Sequence, residues 1–264
     1  MSSCRSILLV TLCAGIAFSR AEAQPATSQP ATSGDPKVDH ILTRLEVKGQ
    51  AIKGIKCKVV YKYVTVEPVE DETIKEGELL FARSEPNSKF LVEFKKIKQA
   101  GTERDTGEYY LFDGLWLTER NDKAKSIVKR EIARPGEKKD PFKIGSGPFP
   151  LPFGQKREDI LANFKVTLAA FALGDPRNVD HLHCVPLPGT DLADKYTRVE
   201  MYVDRQLELP VRIVTERVSD GNRIEVDFKD VNAHEAPAGS RFVVKEPAGY
   251  ELTIEPLDTD EGKK

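Results

Sequence analysis

The sequence predicts a mainly β (α+β) fold: one large antiparallel sheet with helices laid against one face. Three observations support this prediction. Apolar and polar residues alternate in many short runs, a segment near the N-terminus has helical spacing, and a Pro-rich stretch followed by a second helical segment interrupts the strands. A large sheet with apolar helices on one face favours a half-open barrel or a curved sheet. An ordinary α+β core is the alternative that the residues leave open.

Residues 1–23 have the three parts of a signal peptide. Arg5 precedes an apolar run over residues 7–18, and Ala21 and Ala23 provide small residues at the two positions that a signal peptidase needs. The run is short for a transmembrane anchor and lacks a basic stop-transfer flank. We therefore expect cleavage after Ala23 and a periplasmic or secreted mature protein.

Residues 24–35 contain QPATS twice in succession and no large apolar residue. They bury too little surface to offset the entropy of ordering, so a flexible tether is predicted. We expect residues 36–258 to form one domain and residues 259–264 a disordered tail. The 40 Lys and Arg residues are interspersed with 42 Asp and Glu residues, which argues against the basic stripe of a nucleic-acid-binding protein.

The first predicted helix begins at Pro36. Asp35 is a favourable N-cap residue, and proline is favoured at the first helical position. The segment needs an apolar surface to lie on, because one face is apolar and the other is charged. The apolar face consists of Val38, Ile41, Leu42 and Leu45.

About ten to twelve strands are predicted from apolar residues at every second position, the pattern of a strand with one buried face. Turn-forming segments, such as residues 85–88 and 219–222, separate the strands. The alternating positions include Cys57, Val59, Tyr61 and Tyr63; Phe90, Val92 and Phe94; Val199, Met201 and Val203; and Ile224, Val226 and Phe228.

The middle of the chain breaks this pattern. Residues 145–153 read GSGPFPLPF, and their three prolines exclude a central strand. Residues 155–164 follow, with Ile160, Leu161 and Phe164 on one face of a short predicted helix.

Two cysteines remain after cleavage, Cys57 and Cys184, and both lie in predicted strands. In an oxidising compartment they could form a disulfide, whereas two buried free thiols would serve as apolar filling. The sequence leaves these alternatives open, because it does not give the distance between the strands.

Sequence motifs for catalysis are absent, so no catalytic residue and no cofactor are predicted. The chain has no nucleophile elbow, no HExxH motif, no P-loop and no Gly-rich dinucleotide turn. His181 and His183 share a strand face, but Cys184 points the other way, so these three cannot act together on one metal ion. We predict no metal site and no enzymatic activity.

Three segments resemble the outer-membrane lipoprotein carrier family, the LolA/LolB-like proteins that include the sensor RseB. Residues 77–83, GELLFAR, resemble the second strand of the family, which ends in an Arg-Pro corner before an aromatic strand, here Phe90 to Phe94. Residues 112–117, FDGLWL, resemble its Asp-Gly turn. Residues 228–249 resemble its closing strands, with Asn232 followed by spaced Pro, Phe and Gly. The chain departs from the family in a split Arg-Pro pair and an extra segment near residues 162–188.

The resemblance implies an unclosed β barrel with an apolar cavity covered by helices. It implies that Arg83 latches a helical lid through hydrogen bonds to its backbone, although a surface arginine at a strand end is the alternative. The implied lid residues are Phe149, Leu151, Phe153, Ile160 and Leu161. The implied cavity residues are Phe90, Phe94 and Trp116. For Trp116, a position in a plain core is the alternative.

The function that the resemblance implies is a monomeric periplasmic carrier for lipid or lipoprotein acyl chains, with a membrane-bound partner that loads or receives the cargo. One alternative is an RseB-like envelope-stress module that binds a protein partner. A secreted hydrolase with an unrecognised site is the other.

Overall fold

The computed structural model describes residues 32–138 and 153–257, which belong to one compact unit. The predicted signal peptide, residues 24–31 of the predicted tether and the predicted tail lie outside the described residues. Within the described ranges, one sheet of twelve strands carries two helices on the same face. The prediction of a mainly β, α+β fold is confirmed.

The elements are helix α1 (Pro36–Ala51), strands β1 (Gly54–Thr65), β2 (Asp71–Ala82), β3 (Lys89–Gln99), β4 (Thr102–Phe112), β5 (Trp116–Asn121) and β6 (Ser126–Glu131), helix α2 (Arg157–Asn163), strands β7 (Phe164–Leu168), β8 (Val179–Pro186), β9 (Tyr196–Asp204), β10 (Pro210–Arg217) and β11 (Arg223–Asn232), a short 3₁₀ turn (Gly239–Arg241) and strand β12 (Glu251–Glu255).

Helix α1 begins where the sequence predicts. The Asp35 side chain accepts a hydrogen bond of 2.8 Å from the backbone N–H of Lys37, which satisfies one of the free donors of the first turn. The predicted apolar face is buried, and it consists of Val38, Ile41, Leu42 and Leu45.

The strands lie in the order β12-β6-β5-β4-β3-β2-β1-β11-β10-β9-β8-β7, so β12 and β7 are the two edges of a sheet that does not close. Every neighbouring pair is antiparallel except β12 and β6, which are parallel. The sheet of the described residues is therefore mostly antiparallel, as predicted. Residues 233–250 lead to β12, and Phe242 of this segment packs on Leu80 and Leu91. Along this path, β12 runs parallel to β6 at the edge of the sheet.

The two faces of the sheet bury different residues. We call the face that carries α1 and α2 the inner face and the opposite one the outer face. On β2, Leu79 and Phe81 point inward, whereas Leu80 points outward to the cluster around Phe242. The outer face also carries cross-strand ion pairs, for example Lys58 with an oxygen of the Asp230 carboxylate at 2.8 Å.

Helix α2 is shorter than the predicted segment 155–164. It ends at Asn163, and Phe164 is the first residue of β7, so its side chain reaches the core from a strand. Among the described residues, no helix combines the length and hydropathy needed to cross a membrane.

Candidate functional site

The inner face over β1–β4 and β11 is lined by aromatic and aliphatic side chains. Phe90 and Phe94, the predicted cavity residues, lie there and are 2 % and 1 % exposed. The rings of Phe90 and Phe112 lie 6.1 Å apart between centroids. The buried cluster consists of Ile52, Ile55, Cys57, Val59, Leu79, Phe81, Phe90, Val92, Phe94, Phe112, Leu117, Phe153, Leu209, Val226 and Phe228.

Arg83 joins the end of β2 to the end of α1. Its Nη2 donates to the backbone oxygen of Gly49 at 2.6 Å, and its Nε donates to that of Ile52 at 3.0 Å. The last carbonyls of a helix have no partner within the helix, and a guanidinium satisfies two of them here. The residue itself is exposed at the strand end. Both of these hydrogen bonds go to backbone carbonyls at the end of α1.

The segment that leads into α2 meets α1 at the same point. Gly154, whose φ is +88°, packs so closely on Gly49 that a Cβ added to Gly49 would lie 2.8 Å from the Gly154 Cα. A Cβ on Gly154 would lie 3.3 Å from Nη2 of Arg83. Two glycines therefore allow both backbones to approach the guanidinium, so one arginine lies at the meeting point of a strand, a helix and the segment that precedes α2.

The predicted lid residues that the structure describes cover the inner face. Phe153 is 3 % exposed, and its ring packs edge-on against Phe228 with centroids 5.0 Å apart. Ile160 is buried and Leu161 half-buried, both against the cluster under α1. The predicted lid residues Phe149 and Leu151 lie outside the described residues.

Trp116, expected either in the cavity or in a plain core, does not lie on the inner face. Its neighbour Leu117 belongs to the inner cluster, and successive side chains of a strand point to opposite faces. Trp116 is therefore on the outer face, where it is half-buried. The Asp113 carboxylate accepts hydrogen bonds from the N–H groups of Leu115 and Trp116 and shapes the turn that sets this direction.

At the end of the sheet away from Arg83, the inner face becomes polar. Nζ of Lys75 lies 2.5 Å from an oxygen of the Glu108 carboxylate, which is largely buried, and 5.9 Å from the Phe94 ring centroid. Burial raises the pKa of Tyr61 to about 12. Burial also raises the pKa of Tyr110, and the adjacent Glu108 carboxylate acts in the same direction. The inner face therefore has an apolar part next to α1 and a tyrosine-lined part beyond it.

Cys57 and Cys184 are free buried thiols, so the predicted disulfide alternative is not present. Four strand spacings separate β1 from β8 in the sheet, about 19 Å along it, whereas a disulfide requires Cα atoms within about 7 Å. Burial raises the pKa of each thiol to about 12, which removes the thiolate needed for reaction.

His181 and His183 share the outer face of β8, as predicted, and both contact one carboxylate. Nε2 of His181 lies 3.0 Å from Glu200, and Nδ1 of His183 lies 2.8 Å from it. Cys184 points to the opposite face, into the core. Within the described ranges, no group of three His, Cys, Asp or Glu side chains has metal-binding geometry.

No family model and no curated protein matches this chain. Solved structures do match. A protein from Thermus thermophilus, described as an uncharacterized conserved protein, aligns over 83 % of this chain and 99 % of its own, with 11 % identity and a TM-score of 0.48. MucB aligns over 83 % of this chain and 66 % of its own, with 14 % identity and a TM-score of 0.44.

A LolA superfamily protein from Nitrosomonas europaea aligns over 78 % of this chain and 97 % of its own, with 13 % identity and a TM-score of 0.37. LolA superfamily proteins and MucB are thus among the structural neighbours, in agreement with the resemblance of the sequence. At these identities and scores the likeness is one of fold, and it decides nothing about activity, cargo or partner.

Proposed function

We propose that the mature chain is a non-catalytic binding or carrier protein for lipid or lipoprotein acyl chains, acting as a monomer in the periplasm or outside the cell. The observation that carries this proposal is the inner face: a concentration of phenylalanine and aliphatic side chains on one side of an unclosed sheet, covered by two helices. Each methylene group that leaves water for such a surface contributes about 0.8 kcal/mol. An acyl chain therefore needs no polar recognition.

Cargo entry requires the cover to move, since Ile52 and Phe153 fill the apolar part of the inner face. In the proposed open form, Phe153 leaves the ring of Phe228 and an acyl chain takes its place. Burial of the chain offsets the loss of these contacts, because both are apolar.

Arg83 is the proposed latch of this cover. Its two hydrogen bonds to the end of α1 lie at the exposed end of β2, where water can replace them at small cost. Gly154 contacts the same helix end, so release of Arg83 would free α1 and the segment before α2 together. A membrane-bound partner that binds α1 or Arg83 is the proposed means of loading or unloading.

The experiment is native mass spectrometry of the chain that begins at residue 24, purified without detergent and then incubated with phospholipid or a triacylated peptide. We expect discrete added masses that disappear on solvent extraction. Arg83→Leu should change the rate of lipid release. The matched control is Arg241→Leu, which removes an exposed arginine that bonds to Glu78 on the outer face.

A bare mass under all conditions would overturn the carrier proposal, and the protein-binding module would then be the leading alternative. Equal release rates for Arg83→Leu and Arg241→Leu would remove the latch but leave lipid binding standing.

A further inference from the structure

The end of β7 and the connection that follows it carry an exposed apolar segment. Residues 168–174 read LAAFALG, without a single polar side chain, and we call them the apolar loop. Phe171 is 70 % exposed and Leu173 is fully exposed. In a chain with 31 % charged residues, a contiguous run of exposed apolar side chains is typical of an interaction surface.

Polar contacts hold the base of this loop in place. Asp175, which follows the loop, accepts a hydrogen bond of 2.8 Å from the N–H of Ala172, and its carboxylate lies 3.3 Å from Nδ1 of His181. Nη1 of Arg212 donates to the backbone oxygen of Gly174 at 3.1 Å. The base is thereby tied to β8 and β10, and the tip of the loop remains in solvent although it is apolar.

Exposed basic residues lie near the apolar loop. Lys165 and Arg177 flank the loop in sequence, and both are exposed. Arg205, whose side chain is 56 % exposed, lies beside the loop and pairs with Asp180. The carboxylates of Asp175 and Asp180 are less accessible, since their side chains are 6 % and 14 % exposed.

We infer that the apolar loop inserts into the surface of a lipid bilayer that contains anionic lipids. The loop projects outward and has no hydrogen-bonding side chain with which to select a protein partner, whereas a bilayer interface accepts apolar side chains without such selection. The basic residues beside it are complementary to anionic headgroups. The apolar loop is separate from the inner face. Bilayer binding by the loop can therefore be tested independently of lipid binding on the inner face.

The test uses the chain that begins at residue 24, because every described core residue lies at Val38 or beyond. Sedimentation with vesicles of phosphatidylcholine, with or without phosphatidylglycerol, measures binding. For Phe171→Ser with Leu173→Ser, we expect roughly a tenfold loss of partitioning for each side chain removed. The control pair, Val69→Ser with Val243→Ser, removes side chains that are 74 % and 62 % exposed elsewhere and should change binding by less than about twofold.

A second measurement locates the contact. An environment-sensitive dye on Leu173→Cys should shift to the blue and brighten with anionic vesicles, whereas the same dye on Val69→Cys should not. The two native thiols are at most 2 % exposed, so labelling is confined to the introduced cysteine. Absence of binding to anionic vesicles, equal binding to both vesicle types, undiminished binding of the loop variant, or a dye at position 173 that stays in water would each overturn the inference.

Discussion

Replacement of Arg83 by methionine tests whether a single side chain holds the end of α1 on the sheet. The substitution keeps most of the aliphatic stem and removes the two donors that reach the backbone oxygens of Gly49 and Ile52, at 2.6 and 3.0 Å. A typical hydrogen bond contributes about 0.5–1.5 kcal/mol net, and the exposed site allows water to satisfy the carbonyls in part. We therefore expect a loss of about 1–2 kcal/mol.

Urea denaturation monitored by circular dichroism measures this loss. Native-state hydrogen exchange should localise it, because amides in the last turn of α1 should lose protection while those in β1–β4 keep theirs. The control, Arg241→Met, removes an exposed ion pair with Glu78 and should cost at most about 1 kcal/mol. Equal stability of wild type and Arg83→Met, with unchanged exchange at the end of α1, would refute the assignment of Arg83 as the connection.

Three further predictions concern buried groups of the inner face. Cys57 and Cys184 should not react with a thiol reagent in the native protein, and both should react after denaturation; a reaction of the native protein would contradict their burial. The pKa of Tyr61 is about 10 in the unfolded chain and about 12 in the folded protein. Its contribution to stability is therefore complete below pH 10 and should be lost as the pH rises from 10 to 12. Alkaline unfolding with and without Tyr61→Phe measures this loss. Lys75→Met should lower the free energy of unfolding by about 3 kcal/mol, because it leaves the Glu108 charge without its partner. Glu108→Gln in the same chain should restore much of this loss. Additive effects of the two substitutions would argue against the ion pair.

Structural features that are set by residues close together in the sequence could be predicted. The start of α1 follows from the Asp35 carboxylate and the fixed φ of Pro36, both local properties. The inward-facing residues of β3 and β9 follow from alternation, because a strand places every second side chain on the same face.

The direction of Trp116 could not be predicted, because a turn can change which residues face inward. Phe112 and Leu117 both belong to the inner cluster. In one regular strand their odd spacing would place them on opposite faces. The turn at Asp113 and Gly114, where Gly114 has a φ of +110°, reverses the alternation, and Trp116 consequently points outward.

The partners of Arg83 and the parallel pairing of β12 depend on contacts between distant parts of the chain. The sequence contains no signal that the end of α1 would lie beside residue 83. The direction of β12 follows from the path of residues 233–250 over the outer face, which the Phe242 cluster sets. Apolar alternation within a strand carries no information about either contact.

Photocrosslinking with a fatty acid that carries a diazirine along its chain would show whether acyl chains bind on the inner face. After illumination and proteolysis, we expect adducts on peptides from β3, at Phe90–Phe94, and from residues 153–161. Unlabelled fatty acid should compete for them. Adducts confined to the outer face, such as the segment around Phe242, would show that acyl chains do not bind on the inner face. Labelling that unlabelled fatty acid does not reduce would show the same.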